Sequence, residues 1–408
     1  MRVVEGSAFV AAPLGGMTLA QMGADVIRFD PIGGGLDWRR WPVTPEGRSL
    51  FWAGLNKGKR SIAVDIRSPR GRELVTALIA APDRDGSEGG LFLSNFPAQG
   101  WLDYGALSAG RPDLVMVVIT GNYDGSSDVD YTVNPATGFA WVTGPIGSLE
   151  PTNHLLPAWD AVTGTLATTG LLAAERHRRL TGEGRLVTLA LSDVAFAMAG
   201  NLGNIAEVEV LDRDRERAGN YLYGAFGRDF ATADGRRVMV VGLTSRQWKA
   251  LVEATETGDS VVALEKQLGH SLAGEGARFE AREAIAALIE SWVAARTLAE
   301  VREVFDRHGV TWGPYQTFRQ ALEEDPRCSP ANPMFADVEQ PGIGTYRVPS
   351  SPLDFGLGGS GRNSWSGRLP PRRAPLLGEH TDEILSEVVG FSGTEIARLH
   401  DEGVVAGP

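Results

Sequence analysis

The chain has 408 residues, 43% of them hydrophobic and 22% charged, a composition typical of a globular protein with two or three domains. Its net charge of −12 argues against nucleic-acid binding, because phosphate contacts need a clustered basic surface. The single Cys328 excludes an intramolecular disulfide, and no apolar run reaches the roughly 18 residues of a membrane span. We therefore expect a cytoplasmic protein with neither a membrane nor a nucleic-acid partner.

The first 122 residues alternate between strand-like and helix-like patterns. Short apolar runs typical of strands occupy residues 2–9, 24–30, 59–66, 90–97 and 114–122. Helical periodicity occupies residues 11–23 and 68–80. Strands that alternate with helices predict an α/β fold with a mostly parallel sheet and helices on both faces.

The remainder of the chain predicts a change of architecture. A long helix from about residue 160 to Leu180 is followed by a strand at 185–192 and a helix to about 206. Residues 207–224 are charged and rich in turn residues, which indicates a linker. Residues 225–325 begin with strand patterns and continue with helical ones, which predicts a small α+β domain.

The C-terminal part has two predicted sections. Residues 326–378 are rich in Pro and Gly and predict a long return loop, of a kind that is usually functional or lies against a partner. Two short helices follow, with Thr381 and Ser392 as expected N-caps.

Several common types of active site lack their signatures here. The turn GSAFVAAPLGG contains no G-x-G-x-x-G, so a dinucleotide site is not supported. The six histidines show no metal-ligand spacing, and no G-x-S-x-G motif occurs. The carboxylates near predicted element ends remain as candidates: Asp128, Asp130, Asp160 and Asp193. Aspartate can be a covalent nucleophile when an acyl group is transferred rather than hydrolysed.

Asp160 has two possible roles. It stands at the start of an apolar helical run, with no cation within several residues along the chain. From this segment alone the favoured interpretation is a helix N-cap, since an Asp oxygen accepts hydrogen bonds from free N–H groups of a first turn. A helix-entry Asp can also be catalytic, and the two roles do not exclude each other.

Ordered segments of the sequence resemble the family III CoA-transferases. They are PLGGMTLAQMGADVIRFDPIGG, LNKGKRSIAVDIRSPRGRELV, SNFPAQGWLDYGAL, DYTVNPATG, PAWDAVTGTLATTGLLAAERHRRLTGEGRLVTLALSD and APLLGEHTDEIL. The resemblance implies a large Rossmann-like domain joined to a small domain, and two chains interlocked as a homodimer. The large CoA-binding domain would then comprise residues 1–206 and 326–408.

The resemblance also implies roles for individual residues. Asp160 matches the covalent nucleophile of the family. The positions that match its CoA pocket, or that replace its missing phosphate contacts, are Val64, Arg67, Asn95, Phe96, Lys59 and Arg60. The positions expected near the acyl group are Asp130, Tyr131, Tyr223, Arg228 and Trp41. CoA is part of the substrate in this family, so no separate cofactor and no metal are expected.

The expected reaction is a transfer of CoA. Val129 stands where the racemase branch of the family has its catalytic His, which disfavours racemisation. The segments GNYLYGAFGRDF and VDYTVNP most resemble a branch that moves CoA between the C1 and C4 carboxylates of mesaconate. Two alternatives stay open: intermolecular transfer from a dicarboxylate such as succinate, and binding of CoA esters without catalysis. Backbone N–H groups near Asp160, or in residues 219–230, are expected to stabilise the tetrahedral oxyanion.

Overall fold

The computed structural model describes residues 1–82, 89–355 and 367–408. Its strands are β1 (Arg2–Gly6), β2 (Asp25–Asp30), β3 (Arg60–Val64), β4 (Leu91–Ser94), β5 (Val115–Thr120), β6 (Arg185–Ala190), β7 (Phe226–Ala231), β8 (Arg237–Gly242), β9 (Thr311–Pro314), β10 (Phe335–Gln340), β11 (Gly344–Pro349) and β12 (Val405–Ala406). Its helices are α1 (Ala11–Gln21), α2 (Leu50–Leu55), α3 (Pro69–Ala80), α4 (Tyr104–Gly110), α5 (Asp130–Ala136), α6 (Phe139–Val142), α7 (Ala158–Thr181), α8 (Leu191–Asn201), α9 (Asn204–Leu211), α10 (Ser245–Ala254), α11 (Gly258–Leu268), α12 (Glu275–Glu280), α13 (Arg282–Ala294), α14 (Leu298–His308), α15 (Phe318–Glu324), α16 (Thr381–Ile384) and α17 (Gly393–Asp401).

These elements form two compact units. The first comprises residues 1–137, 154–205 and 326–408, and the second comprises residues 138–153 and 206–325. Among the described residues, the first unit contains a seven-stranded sheet in the order β12-β3-β2-β1-β4-β5-β6. Its strands run parallel apart from β12, which pairs antiparallel with β3. The α/β fold predicted from the sequence is therefore confirmed.

The strand order of this sheet has a point of reversal. The chain runs outward from β1 through β2 to β3 and then returns to β4 on the other side of β1. In doubly wound sheets, ligands bind outside the carboxyl ends of the strands at this reversal. The topology thus predicts a ligand site at the residues that follow β1 and β4.

Alternate residues of the central strands enter cores on opposite faces of the sheet. Val4 and Ile27 belong to a core with helix α3, whereas Val3 and Val26 belong to a core with helices α1 and α7. Because both faces are covered, the strands carry nearly continuous apolar runs rather than alternating polar and apolar residues.

Helices α1 and α7 approach each other closely at a glycine. A Cβ atom on Gly164 would lie 2.5 Å from the backbone oxygen of Ala11, so a larger residue would push the helices apart. One turn further along α7, Thr168 Oγ1 donates a hydrogen bond to the Gly15 carbonyl oxygen at 3.1 Å. Since Ala11 is the first residue of α1, this contact brings the start of α7 to the carboxyl end of the sheet.

The second unit has its own core. Strands β7, β8 and β9 form an antiparallel sheet. Apolar side chains of this sheet, such as Phe226 and Val240, pack with Ile285 and Phe305 of the surrounding helices. Arg278 is fully enclosed there, and its guanidinium donates to carbonyl oxygens of Gly242, Leu243, Leu272 and Ala273.

Some local expectations need correction. Thr381 does not cap α16, because its Oγ1 instead donates to the Ala406 carbonyl and accepts from the Ala63 N–H, tying β12 to β3. Ser392 caps α17 as expected. The predicted return loop contains the antiparallel hairpin β10–β11. The prolines and glycines around it led to the prediction of a loop without strands. The strand expected at 185–192 ends at Ala190, where α8 begins at once.

In residues 1–82, 89–355 and 367–408, no single helix is long and apolar enough to cross a membrane, although the bent pair α8 and α9 reaches the required length and composition jointly. The same ranges contain no group of three His, Cys, Asp or Glu side chains placed to hold a metal ion.

Candidate active site

Hydrogen bonds join the two loops at the reversal of the sheet. Ser94 Oγ, at the end of β4, donates to the Gly6 carbonyl oxygen at 2.8 Å. The Asn95 side chain accepts from the Ala8 N–H at 2.9 Å and donates to the Ala8 carbonyl oxygen at 2.8 Å. The loop after β1 is therefore fixed to the loop after β4. The Asn95 side-chain amide forms the same two hydrogen bonds with Ala8 that a paired residue of a neighbouring strand would form.

The loop after β1 also has an unusual conformation. Phe9 adopts a φ of +65°, a region that residues other than glycine rarely occupy. Buried Arg28 donates to the Ser7 carbonyl oxygen at 3.0 Å on one side of this residue, and α1 begins on the other. The strain at Phe9 is sustained by these anchors, as is common at functional sites.

Asp160 is the third residue of α7 and does not cap this helix. The N-cap position belongs to Pro157, which provides no side-chain hydrogen bond. Instead, Asp130 Oδ2 accepts from the N–H groups of Trp159 and Asp160 at 2.7 and 3.0 Å. The favoured capping role for Asp160 was therefore wrong: a second carboxylate caps the helix from another segment and leaves Asp160 free.

Helix α5 provides this second carboxylate. Asp130 is its first residue and is buried, and Asn134 one turn later accepts from the indole N–H of Trp159 at 3.1 Å. The segment DYTVNP thus binds the start of α7 through two side chains, Asp130 and Asn134. The second oxygen of Asp130, Oδ1, is buried and has no hydrogen-bond partner in the described part of the chain.

The Asp160 carboxylate lies in an environment that disfavours its charge. It is partly buried, and no residue of the described ranges donates a hydrogen bond to it. Its pKa is raised to about 6, mainly by burial and further by the charge of Asp130, against the charge of Arg40, which lowers it. At neutral pH the group is still largely ionised, but it is poorly solvated. Such a carboxylate is a better nucleophile than one that is fully hydrated.

One expected source of oxyanion stabilisation is already occupied. The N–H groups of Trp159 and Asp160 bind Asp130, and the N–H of Ala161 binds the Pro157 carbonyl oxygen at 3.0 Å. These donors near the nucleophile therefore do not point toward a substrate carbonyl. The expectation that this helix start forms an oxyanion hole is not met.

The residues expected around CoA occupy different environments. Asn95 and Phe96 follow β4 at the reversal, with the Phe96 ring in edge contact with Phe29 at 6.1 Å between centroids. The Val64 side chain is fully buried in the core, and the residue is paired with Val405 of β12 in the sheet. Arg67 is exposed, three residues beyond the end of β3.

Lys59 lies inside a buried ionic cluster rather than at the surface. Its ammonium group binds Glu5 Oε1, the Pro13 carbonyl oxygen and Asn56 Oδ1 at 2.8 to 2.9 Å. The neighbouring Arg28 contacts Asp30 and Asp37 at 2.9 Å and stacks on the Trp52 ring. Burial lowers the pKa of Lys59 to about 8.

Arg60 is also engaged in ion pairs. Its guanidinium contacts Asp25 at 2.6 Å and Glu383 at 2.9 Å. Since Lys59 and Arg60 both have carboxylate partners, we do not propose either residue as a ligand of CoA phosphates.

The residues expected near the acyl group are divided between the two units. Tyr131 and Trp41, in the first unit, are exposed, and they directly follow Asp130 and Arg40 in the chain. Tyr223, in the second unit, donates its hydroxyl to Glu207 at 2.9 Å. Arg228 donates to the Tyr221 hydroxyl at 3.2 Å and lines a cavity of about 600 Å³ within the second unit.

Sequence reasoning missed Arg40 and the capping role of Asp130. Arg40 was visible only as one of two arginines in the segment WRRWP, with nothing to relate it to Asp160, 120 positions later in the chain. The signal for Asp130 was its place in DYTVNP, which suggested an acid near the nucleophile but not a hydrogen bond to the backbone of α7.

Comparisons with known proteins identify the family of the chain. The model of the family described as CoA-transferase family III matches residues 1–381. The chain is 64% identical to 2-methylfumaryl-CoA isomerase of Chloroflexus aurantiacus over 409 residues, which cover 100% of this chain and 97% of that protein. It is 27% identical to succinyl-CoA–D-citramalate CoA-transferase of the same organism, with 99% of this chain and 97% of that protein covered.

A solved structure supports the same assignment. A CaiB/BaiF family protein from Brucella suis superimposes with a TM-score of 0.75 at 26% sequence identity, covering 95% of this chain and 98% of that one. The family model matches most of the sequence, and the alignment with the isomerase, at 64% identity, covers all of it. The chain therefore belongs to CoA-transferase family III.

Proposed function

We propose that this protein transfers CoA within one molecule, from the C1 to the C4 carboxylate of mesaconate, with Asp160 as the covalent carrier. The observation that supports this chemistry best is the Asp160 carboxylate, which is left without hydrogen-bond donors because Asp130 caps its helix. The choice of substrate follows from the full-length similarity to a protein named 2-methylfumaryl-CoA isomerase.

The proposed reaction has two symmetrical halves. Asp160 attacks the C1 thioester carbonyl, which forms a mixed anhydride and releases CoA thiolate. The thiolate then attacks the aspartyl carbonyl, which gives an aspartyl-CoA thioester and bound mesaconate. In the second half, the C4 carboxylate attacks this thioester to form a new anhydride and release the thiolate again. Attack of the thiolate on C4 then restores Asp160.

Formation of an anhydride from a thioester is unfavourable, so the site has to lower the barrier in other ways. Holding the reacting groups in place can contribute about 7–11 kcal/mol. Contacts to the distant nucleotide part of CoA can stabilise that arrangement. Asn95 and Phe96, fixed at the reversal of the sheet, are the positions we propose for contacts with CoA.

The proposal includes a cytoplasmic homodimer of the interlocked kind that the family resemblance implies. The sole ligand would be the CoA ester, in which CoA is part of the substrate rather than a cofactor. Val64 and Arg67 are proposed to line the CoA pocket through backbone and side chain respectively. Tyr131 and Trp41 of the first unit remain proposed neighbours of the acyl group.

Isomerisation without an acceptor is the decisive test of this proposal. Purified enzyme is incubated with C1-linked mesaconyl-CoA and ¹³C-labelled free mesaconate, and the products are separated and analysed by mass spectrometry. We expect the C4-linked isomer to form at the same rate with and without the free acid, and to carry no label. Dependence on an added acid such as succinate would instead indicate intermolecular transfer.

Chemical trapping separates catalysis from simple binding. Hydroxylamine added during turnover should convert the aspartyl thioester to a hydroxamate, which mass spectrometry of a peptide containing Asp160 can locate. A protein that only binds CoA esters would give no modified peptide at any substrate concentration. An adduct at another residue would also contradict the proposal.

The rate should depend on pH through ionisation of Asp160. Because only the carboxylate attacks, kcat/KM is expected to be constant above pH 7, to halve near pH 6 and to fall about tenfold per pH unit further down. The Asp130→Asn variant removes the nearby negative charge, so its inflection should move to lower pH. An inflection near 4 in the unmodified enzyme would contradict the assigned environment.

A further inference from the structure

Arg40 is held in a defined position by aromatic rings. Its guanidinium carbon lies 5.2 Å from the centre of the Phe9 ring and 5.1 Å from the centre of the Phe51 ring. Its carbonyl oxygen accepts a hydrogen bond from Ser49 Oγ at 2.5 Å, and Ser49 also caps α2. An arginine stacked on aromatic rings keeps its donors free and loses little conformational entropy when it binds a ligand.

The charge of Arg40 has no carboxylate partner within the described part of the chain. Arg28 and Arg60 nearby in sequence are both paired with acidic side chains, whereas Arg40 is exposed and forms no ion pair. Arg40 stacks on Phe9, and α1, which begins two residues after Phe9, meets α7 where Ala11 contacts Gly164, one turn beyond Asp160. The charge of Arg40 accordingly lowers the pKa of Asp160, although the two groups form no ion pair with each other. A cation is thus positioned beside the nucleophile with its hydrogen-bond donors available.

A dicarboxylic substrate requires such a cation. The site already contains the negative charges of Asp160 and Asp130, so a further carboxylate would be repelled unless a positive group offset it. A guanidinium binds a carboxylate through two parallel hydrogen bonds, which fixes its direction as well as its position. In the first unit, Arg40 is the residue that combines these properties among those described around Asp160.

We propose that Arg40 binds whichever carboxylate of the dicarboxylic acid is not bonded to CoA, an inference that rests on the function proposed above. During the first half-reaction it would hold the C4 carboxylate while Asp160 attacks C1. No bond to Arg40 forms or breaks. Once the CoA is on Asp160, the same contact would retain the free dianion until its other end is aligned. Arg40 would therefore determine both the selection of dicarboxylates and the retention of the intermediate.

The surroundings of Arg228 make it less suitable than Arg40 for binding the free carboxylate. Its guanidinium is bonded to the Tyr221 hydroxyl and lies near the rings of Tyr221 and Phe230. The cavity that it lines within the second unit also contains Asp229, Glu283 and Glu290. These carboxylates would oppose the entry of a second anion.

The test compares two CoA esters in Arg40→Gln, Arg40→Lys and the matched control Arg39→Gln. One ester is C1-linked mesaconyl-CoA, and the other is tiglyl-CoA, in which a methyl group replaces the C4 carboxylate. For mesaconyl-CoA, we expect Arg40→Gln to lower kcat/KM about 100-fold, Arg40→Lys to lower it less, and Arg39→Gln to leave it unchanged. The rate of hydroxamate formation from tiglyl-CoA should stay within about threefold of the unmodified enzyme in all variants, since this ester offers no carboxylate to Arg40.

Two further readouts distinguish binding of substrate from a structural role. Labelled free mesaconate should enter the product in Arg40→Gln, because the unheld intermediate escapes and exchanges. The pH inflection of this variant should move upward, since the cation beside Asp160 is lost. Equal losses with both esters, or unchanged kcat/KM with mesaconyl-CoA, would overturn the role of Arg40 while leaving the proposed function intact. Absence of any Asp160 adduct in the unmodified enzyme would overturn both.

Discussion

The Asp160→Asn variant is expected to lose at least about 10⁴-fold in isomerisation rate, because removal of a covalent nucleophile leaves only binding and positioning. An amide at this place keeps the size of the side chain and the hydrogen bonds from Trp159 and Asp160 backbone to Asp130. The loss should therefore appear in kcat, with little change in the affinity for the CoA ester. Single-turnover assays at several concentrations of mesaconyl-CoA measure the rate and the affinity. Trapping with hydroxylamine reports whether a covalent adduct still forms.

The same variant is expected to be more stable than the unmodified protein. Folding raises the pKa of Asp160 from 3.8 to about 6, so the folded state binds a proton more tightly than the unfolded state. The ionised group thus destabilises the fold fully above pH 6, and the effect disappears below about pH 4. After allowance for solvent screening, the gain at pH 8 should be about 1–2 kcal/mol. Urea unfolding at pH 8 and pH 4 measures it.

Asp193→Asn is the matched control for these measurements. Asp193 also lies in the first turn of a helix and was a candidate from sequence, but it is exposed. We expect activity within about twofold and stability within about 0.5 kcal/mol of the unmodified protein. If Asp160→Asn retained near-normal turnover, or if both variants lost activity equally, the covalent mechanism would have to be abandoned.

The Lys59→Met variant is expected to lose about 3–5 kcal/mol of unfolding free energy, because it removes the close ion pair of the buried Glu5 carboxylate and leaves only the 3.9 Å contact with Arg28. The same change removes the hydrogen bonds to the Pro13 carbonyl and to Asn56. Chemical denaturation at pH 7 measures the loss. For the fraction that folds, the KM for the CoA ester should be nearly unchanged.

Two comparisons make this prediction decisive. The double variant Glu5→Gln/Lys59→Met should recover much of the lost stability, since it leaves no buried charge unpaired at that point. Arg67→Met, at an exposed position, should change stability by less than about 0.5 kcal/mol. A Lys59→Met protein of normal stability with a strongly raised KM would instead support the direct contact with CoA that the family resemblance suggested.

Much of the fold follows from local patterns in the sequence. The apolar runs that became β1 to β5 are short, β-branched and bounded by turn residues, so their assignment as buried parallel strands required no tertiary information. The cap at Ser392 was equally local. The hairpin β10–β11 and the role of Thr381 were missed, because both depend on partners that lie elsewhere in the chain.

The candidate site shows the same division. The sequence alone was sufficient to select Asp160 and to relate the chain to a family of enzymes. Tertiary structure decided that Asp130, 30 positions earlier than Asp160, caps the helix in its place, and that Lys59 is buried against Glu5. It also decided that the charge of Arg40 acts on the Asp160 carboxylate. Hydrogen bonding within a helix turn is encoded by neighbours in the sequence. The desolvation and charge that set the reactivity of a carboxylate come from segments that meet only after the chain has folded.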